Sequence, residues 1–284
     1  MSHRSMVSSE MLRGLGRVGV LLALAYVVLV GALFLFQSRL VFLPDVGGRA
    51  LVATPDSIGL AFDEIALATP DGETLHGWWL PHPQAGPVVL FHHGNAGNIS
   101  HRLQSLRLLH EMGASVLIFD YRGFGQSTGR PSEAGLLIDA RTAYQWLIDD
   151  QQLSPDSIVL FGRSLGAAVA AHLATEVEAC ALVLESSFSS LDAVARHHYP
   201  WLPVRWLLRL HFPVDQWLAD TLLPTLIIHS REDEIIPFSH AERLLERAQG
   251  DGRLLEIQGD HNHGFLQSGQ QYRQGLGEFL AACQ

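Results

Sequence analysis

The hydrophobic pattern opens with an uninterrupted apolar run. Val18 to Phe36 is nineteen residues without a charge, bounded by Arg17 and by Gln37-Ser38-Arg39. At about 1.5 Å per residue, a helix of this length roughly matches the ~30 Å hydrocarbon core of a bilayer. A cleaved signal peptide would carry a shorter apolar stretch, about 7–15 residues, ending at a small-x-small site. Phe36-Gln37-Ser38 is a poor cleavage site, and no lipobox cysteine follows. A retained signal-anchor helix over 18–36 is therefore expected, with residues 1–17 as an N-terminal tail on the cytoplasmic side. Arg4, Arg13 and Arg17 precede the span and Arg39 and Arg49 follow it. By the positive-inside rule this one-arginine margin leans toward an extracytoplasmic body on a single-pass membrane protein.

Beyond the anchor, residues 45–284 change rhythm. Phe62–Leu67 and Thr74–Leu80 alternate as strands around the turn Pro70-Asp71-Gly72, which predicts an antiparallel hairpin at a sheet edge. Short apolar runs suited to buried parallel strands follow at Val88–Phe91, Val116–Phe119, Ile158–Phe161, Ala181–Leu184, Thr225–His229 and Leu254–Ile257. Between them, Ser100–Met112 and Ser132–Ile148 carry apolar residues at helical spacing, and Ser239 with Glu242 has the spacing of a capping box. Repeated strand–helix units predict an α/β fold with a mostly parallel, doubly wound sheet. In such sheets ligands bind beyond the carboxyl ends of the strands.

One segment departs from the rhythm. Residues 185–224 separate two strands and hold Trp201, Trp206 and Trp217 with several leucines. A structureless excursion of this length usually has a function, and a lid whose tryptophans contact substrate is one reading. The other is a helical insertion whose aromatics pack on the body.

Composition narrows the chemistry. The 284 residues carry a net charge of −10, and all 19 basic residues are arginine. A chain without lysine has no P-loop, Ser–Lys dyad or Schiff base. Negative charge without basic clusters argues against nucleic acid as a partner. Cys180 and Cys283 form no C-x-x-C or metal-ligand spacing, so neither a disulfide framework nor a cysteine zinc site is expected.

Two G-x-S-x-G strings occur, and context separates them. Gly125-Gln126-Ser127-Thr128-Gly129 lies in a loop and precedes Arg130-Pro131, where proline disfavours helix at the residue before it. Ser127 is expected on a surface loop. Gly162-Arg163-Ser164-Leu165-Gly166 instead follows the strand Ile158–Phe161 and opens into Ala167-Ala168-Val169-Ala170-Ala171. Strand, sharp turn and helix are the context of a nucleophile elbow, with Ser164 at its tip. Side chains at Gly162 and Gly166 would collide with the adjoining strand and helix.

A serine hydroxyl needs a base, and His261 and His263 follow the final strand. His261 is favoured because it stands nearer the strand end. Asp233, after Thr225–His229, fits the order Ser…Asp…His, with Glu185 as its rival and Glu232 and Glu234 as solvated neighbours. The backbone N–H of Leu165 and that of Asn95, in the loop His92-His93-Gly94-Asn95-Ala96-Gly97-Asn98, would form the oxyanion hole. A metal on His92 and His93 is disfavoured, since adjacent side chains on a strand point to opposite faces.

With these residues placed, residues 38–284 resemble the α/β-hydrolase superfamily. Within it they look like a branch of membrane-anchored serine hydrolases that includes protein depalmitoylases. The motifs are Leu40-Val41-Phe42-Leu43-Pro44, Thr69-Pro70-Asp71-Gly72, Leu75-His76-Gly77-Trp78-Trp79, His93-Gly94-Asn95-Ala96-Gly97-Asn98 and Asp120-Tyr121-Arg122-Gly123-Phe124-Gly125. The elbow, Asp233 with Ile236-Pro237, and His261-Asn262 complete the set. The resemblance implies Ser164 as nucleophile, Asp233 as acid, His261 as base, and Leu165 and Asn95 as oxyanion donors. Many relatives carry Asp where this chain has His263. Expected activity is hydrolysis of carboxylic esters or thioesters with acyl-chain substrates and no cofactor or metal. A peptidase of the same fold, or a non-catalytic membrane-bound module, are the alternatives.

Overall fold

The computed structural model describes residues 3–283, with side chains described from Arg13 onward. Met1 and Ser2 of the expected tail lie outside the described residues, as does the side chain of Arg4 used in the orientation argument. Helix α1 spans His3–Val41, so the helix continues through most of the tail and four residues past the apolar run's Gln37 boundary. Within it, Arg13–Val41 is long and apolar enough to cross a membrane, with a mean hydropathy of 2.8. Its side chains find almost no protein partner: most of the stretch is exposed. The chain enters the body at once, since Phe42 is buried and Leu43 bonds to the loop at Asn95 (Leu43 N to Asn95 O, 2.8 Å).

Strands β1 (Asp63–Ala68) and β2 (Thr74–Leu80) form the expected hairpin, and its turn needs Gly72 at φ +93°. Strand β3 (Val88–His92) leads through helix α2 (Leu103–Glu111) to β4 (Ser115–Phe119), and helix α3 (Glu133–Asp149) leads on to β5 (Ile158–Arg163). Helix α4 (Leu165–Leu173) connects to β6 (Ala181–Glu185). The excursion holds three short helices, α5 (Leu191–His198), α6 (Val204–Leu207) and α7 (Val214–Trp217), before β7 (Thr225–Ser230). Helix α8 (Ser239–Arg247), β8 (Gly252–Ile257), α9 (Gly264–Gln267) and α10 (Gly269–Leu280) end the chain.

The eight strands form one sheet in the order β1-β2-β4-β3-β5-β6-β7-β8, parallel from β4 onward. Alternation along the strands splits the core. Leu90, Leu117, Leu160, Leu182 and Ile227 face α3, α4 and α8, whereas Phe91, Ile118, Phe161, Val183 and Ile228 face α2 and α10. Both faces are covered, which is why the strands read as continuous apolar runs.

Three local expectations are corrected. Ser239 is the first residue of α8, not a cap outside it, and no side chain caps that end. The capping box forms at Asn98 and His101. Ser127 is fully buried, because its hydroxyl donates to Asp120 O (2.6 Å) and accepts from His76 N (2.9 Å), pinning its loop to β2. Finally, Cys180 and Cys283 form a disulfide with Cα atoms 5.7 Å apart. Spacing rules could not see this pair, because the fold brings the start of β6 and the chain's end together across 103 residues.

Candidate active site

The turn after β5 holds Ser164 at φ 54°, ψ −118°, a left-handed region that costs a non-glycine residue about 1–3 kcal/mol. Close packing imposes it. A Cβ on Gly162 would lie 2.2 Å from Gly166 O, and one on Gly166 would lie 2.0 Å from His92 O. Only two glycines let β5, α4 and β3 approach this closely, as expected from the sequence. The amide of Ser164 donates to Glu185 O (2.9 Å), and the hydroxyl stands over the N-terminus of α4.

The loops after β7 and β8 bring the partners. His261 Nε2 lies 3.1 Å from Ser164 Oγ, and its Nδ1 lies 2.7 Å from Asp233 Oδ2. The other carboxylate oxygen of Asp233 accepts from Ile235 N (3.0 Å) and Ile236 N (2.7 Å), which fixes the carboxylate plane. Burial raises the Asp233 pKa, but the hydrogen bond and charge of His261 outweigh it and hold the carboxyl below its ordinary range. Asp233 is thus a carboxylate aimed at Nδ1–H, which leaves Nε2 free to accept a proton from Ser164.

The loop after β3 lies against the elbow, and a Cβ on Gly94 would come within 3.7 Å of Ser164 Cβ. Among the described residues the amides of Asn95 and Leu165 donate to no other group of the chain. The Asn95 side chain donates to Val41 O (2.8 Å), and Gly97 N donates to Leu43 O (3.1 Å). The chain leaving α1 therefore splints this loop.

Other residues brace the site. Tyr121 donates to His93 O (3.0 Å), and buried Asp120 accepts from Ile99 N (2.9 Å), so the Asp120–Gly125 motif braces the loop after β3. Arg163 is buried behind the elbow, paired with Glu185 (2.7 Å) and lying over the Phe265 ring (4.0 Å). Glu185 also accepts from Tyr272 (2.8 Å), so this rival acid is committed elsewhere. The facing charges at the ends of β5 and β6, where Arg163 and Glu185 are register partners, are the signal that could have revealed the pair. Glu232 and Glu234 are not merely solvated: they accept from Gly259 N (2.9 Å) and His261 N (3.1 Å) and tie the histidine loop to the acid loop.

The remaining candidates lie elsewhere. His263 is exposed and bonds to Asp260 (3.0 Å). His92 donates to Phe161 O (3.1 Å), and His93 donates to Gly94 O (2.8 Å). Burial holds these imidazoles neutral, with pKa values lowered to about 4 and about 3. Trp217 packs against His172 and Phe212 in the core, near the far end of α4 from Ser164. Trp201 and Trp206 stand on the outer face of the 185–224 excursion, exposed by 56% and 84%. The structure therefore brings Ser164, His261 and Asp233 together, with Leu165 and Asn95 beside them, and leaves all three tryptophans outside that cluster.

A catalytic-type constellation at the carboxyl ends of a mostly parallel sheet defines a hydrolase architecture, and comparison with known proteins agrees. A family model described as the alpha/beta hydrolase fold matches residues 87–207. The Arabidopsis thaliana alpha/beta hydrolase domain-containing protein WAV2 is 34% identical, covering 77% of this chain and 78% of its own. Protein bem46 of Schizosaccharomyces pombe is 34% identical over 74% of each chain. An uncharacterized membrane protein of Saccharomyces cerevisiae, YNL320W, is 34% identical over 89% of this chain and 92% of its own. The esterase Pf2001 of Pyrococcus furiosus superposes with a TM-score of 0.71 at 24% identity, covering 84% of this chain and 98% of that one. The chain belongs to the alpha/beta hydrolase family.

Proposed function

We propose that the protein is a membrane-tethered serine hydrolase that cleaves carboxylic ester or thioester bonds of acyl-chain substrates. The observation that carries this reading is the continuous hydrogen-bonded line from Asp233 through His261 to Ser164. His261 Nε2 takes the Ser164 proton as Oγ attacks the carbonyl carbon. The amides of Leu165 and Asn95 hold the oxyanion, and the positive end of α4 adds to its stabilisation. The tetrahedral intermediate expels the alcohol or thiol, which leaves with the proton from His261. Water, deprotonated by the same imidazole, then releases the acid and restores Ser164. A fluorophosphonate probe tests this: the full-length protein should label and Ser164→Ala should not. Ester and thioester substrates of graded chain length then define the acyl preference. Labelling that persists in Ser164→Ala, or none in the parent, removes the reading.

The body belongs on the extracytoplasmic side. The Cys180–Cys283 disulfide supports this, since such bonds persist in oxidising compartments, and the arginine asymmetry across the span agrees with it. In cells expressing the full chain, both thiols should resist a maleimide reagent until reduced. Immediate labelling of unreduced protein would place the body in a reducing compartment.

A further inference from the structure

The lid is bonded to the membrane helix. Gln37 Nε2 donates to Leu207 O (2.5 Å), Arg209 N donates to Gln37 Oε1 (2.7 Å), and Tyr26 donates to Trp201 O (3.1 Å). Arg209 also lies over the Phe34 ring at 5.2 Å. On α1, where most side chains are exposed, Val30, Gly31, Leu33, Gln37 and Val41 are half-covered, and Val30, Leu33, Gln37 and Val41 lie on one side of the helix. Gln37 marks where the charge-free run ends, so Trp206 and its neighbours sit level with a membrane boundary. Tyr26 stands about 16 Å further along the axis at ~1.5 Å per residue, inside the apolar run.

The lid's two faces differ. Val204, Leu210 and Phe212 are buried in the body, while Tyr199, Trp201, Arg205, Trp206 and Arg209 are exposed. From Tyr199 to Phe212 the chain has two arginines and no acidic residue, in a protein whose net charge is −10. Exposed tryptophans with flanking arginines are the composition of segments that lie in the membrane interface, rings at the headgroup level and guanidinium groups on phosphates.

We propose that this outer face of the lid is a second membrane contact, seated in the interfacial layer of the bilayer that α1 crosses. Trp206, level with Gln37, sits at the boundary where Arg205 and Arg209 meet anionic headgroups, and Trp201, bonded through its carbonyl to Tyr26, reaches deeper into the acyl region. The inference rests on α1 being a membrane helix, as in the proposed function, and not on hydrolysis. A bilayer is favoured over a second protein copy because the face is continuous with α1 itself. Any occupant must stand beside that helix, where lipid already stands. The seat also bears on the site. His198 Nε2 donates to Ile235 O (2.7 Å), and Ile235 N bonds Asp233, so the lid runs from the acid loop to the membrane.

Tryptophan fluorescence tests the proposal. Of the six tryptophans, Trp78 and Trp79 are buried, Trp146 and Trp217 pack on the core, and α1 contains none. Only Trp201 and Trp206 can meet lipid. The full chain is reconstituted in phosphatidylcholine–phosphatidylglycerol vesicles, with and without phosphatidylcholine brominated at upper and at middle acyl positions. Bromine should quench part of the emission, and the Trp201→Phe/Trp206→Phe protein should lose that response while Trp206→Phe keeps a fraction of it. An unquenched parent, or a double variant quenched as strongly as the parent, overturns the proposal. So does a bromine-insensitive parent that cross-links to a second copy through this face. No turnover is needed, and Ser164→Ala should be quenched like the parent, so this test fails or succeeds independently of the hydrolase reading.

Discussion

Asn95→Ala isolates the link between helix α1 and the proposed oxyanion hole. The substitution keeps the backbone N–H and removes only the side-chain bond to Val41 O, 2.8 Å long, at the last residue of α1. A neutral hydrogen bond of this kind contributes a net ~0.5–1.5 kcal/mol. If that energy holds the amide on the developing oxyanion, its loss lowers kcat about two- to twelvefold, since ~1.4 kcal/mol corresponds to a factor of ten. The effect stays below the ~100- to 1,000-fold cost of deleting an oxyanion donor, because the amide is still present. Two backbone bonds, Leu43 N to Asn95 O and Gly97 N to Leu43 O, also continue to restrain the loop. KM should hardly change, as the bond acts on charge that exists only in the transition state. Steady-state hydrolysis of a nitrophenyl ester by the full-length protein, with denaturation followed in parallel, measures both quantities. A variant with lower stability and unchanged kcat would show that the side chain serves only the fold. That result refutes the coupling.

Three further outcomes follow from named contacts. Asp233→Asn keeps the loop but presents an amide to His261 Nδ1, favouring the wrong tautomer, and kcat should fall by ~10⁴ with KM little changed; a loss below tenfold in single-turnover assays would count against Asp233 as the acid. Cys180→Ser with Cys283→Ser opens a closure of 103 residues at the end of β6 opposite Ser164, so denaturant titration should show a loss of ~2–4 kcal/mol, while kcat/KM at 25 °C stays at the parent value. Stability should also fall with acid: His92 and His93 titrate near 4 and near 3 when folded against ~6.5 when unfolded, so their contribution is complete above ~6.5 and is lost as pH falls below it. Each costs up to about 1 kcal/mol per pH unit, and a denaturation midpoint that is flat between pH 7 and 5 would contradict their burial as neutral rings.

The cluster of Ser164, His261 and Asp233 was legible because each lies just beyond an apolar strand, where chain order and strand order constrain position together. The hairpin and the parallel run were legible for a related reason: with both faces covered, the central positions of β3–β7 had to be apolar, and polar residues fall at the strand ends. What escaped were contacts between polar residues far apart in sequence. Ser127 looks like a loop serine until the backbone of β2 arrives to use its hydroxyl. Glu232 and Glu234 look solvated until the amides of the β8 loop stand opposite them. Cys180 meets Cys283 only because α10 lies back across the sheet. The largest gap concerns modularity. Hydrophobic patterning separates an apolar helix, an α/β body and the 185–224 excursion, since each has its own pattern. Yet Val41 and Leu43 grip the loop after β3, Gln37 is bonded to the excursion on both sides of Leu208, and the excursion in turn is bonded to the loop holding Asp233. The end of α1 is therefore part of the scaffold around Ser164. A perturbation there should reach Ser164 through two routes, the loop after β3 and the loop holding Asp233.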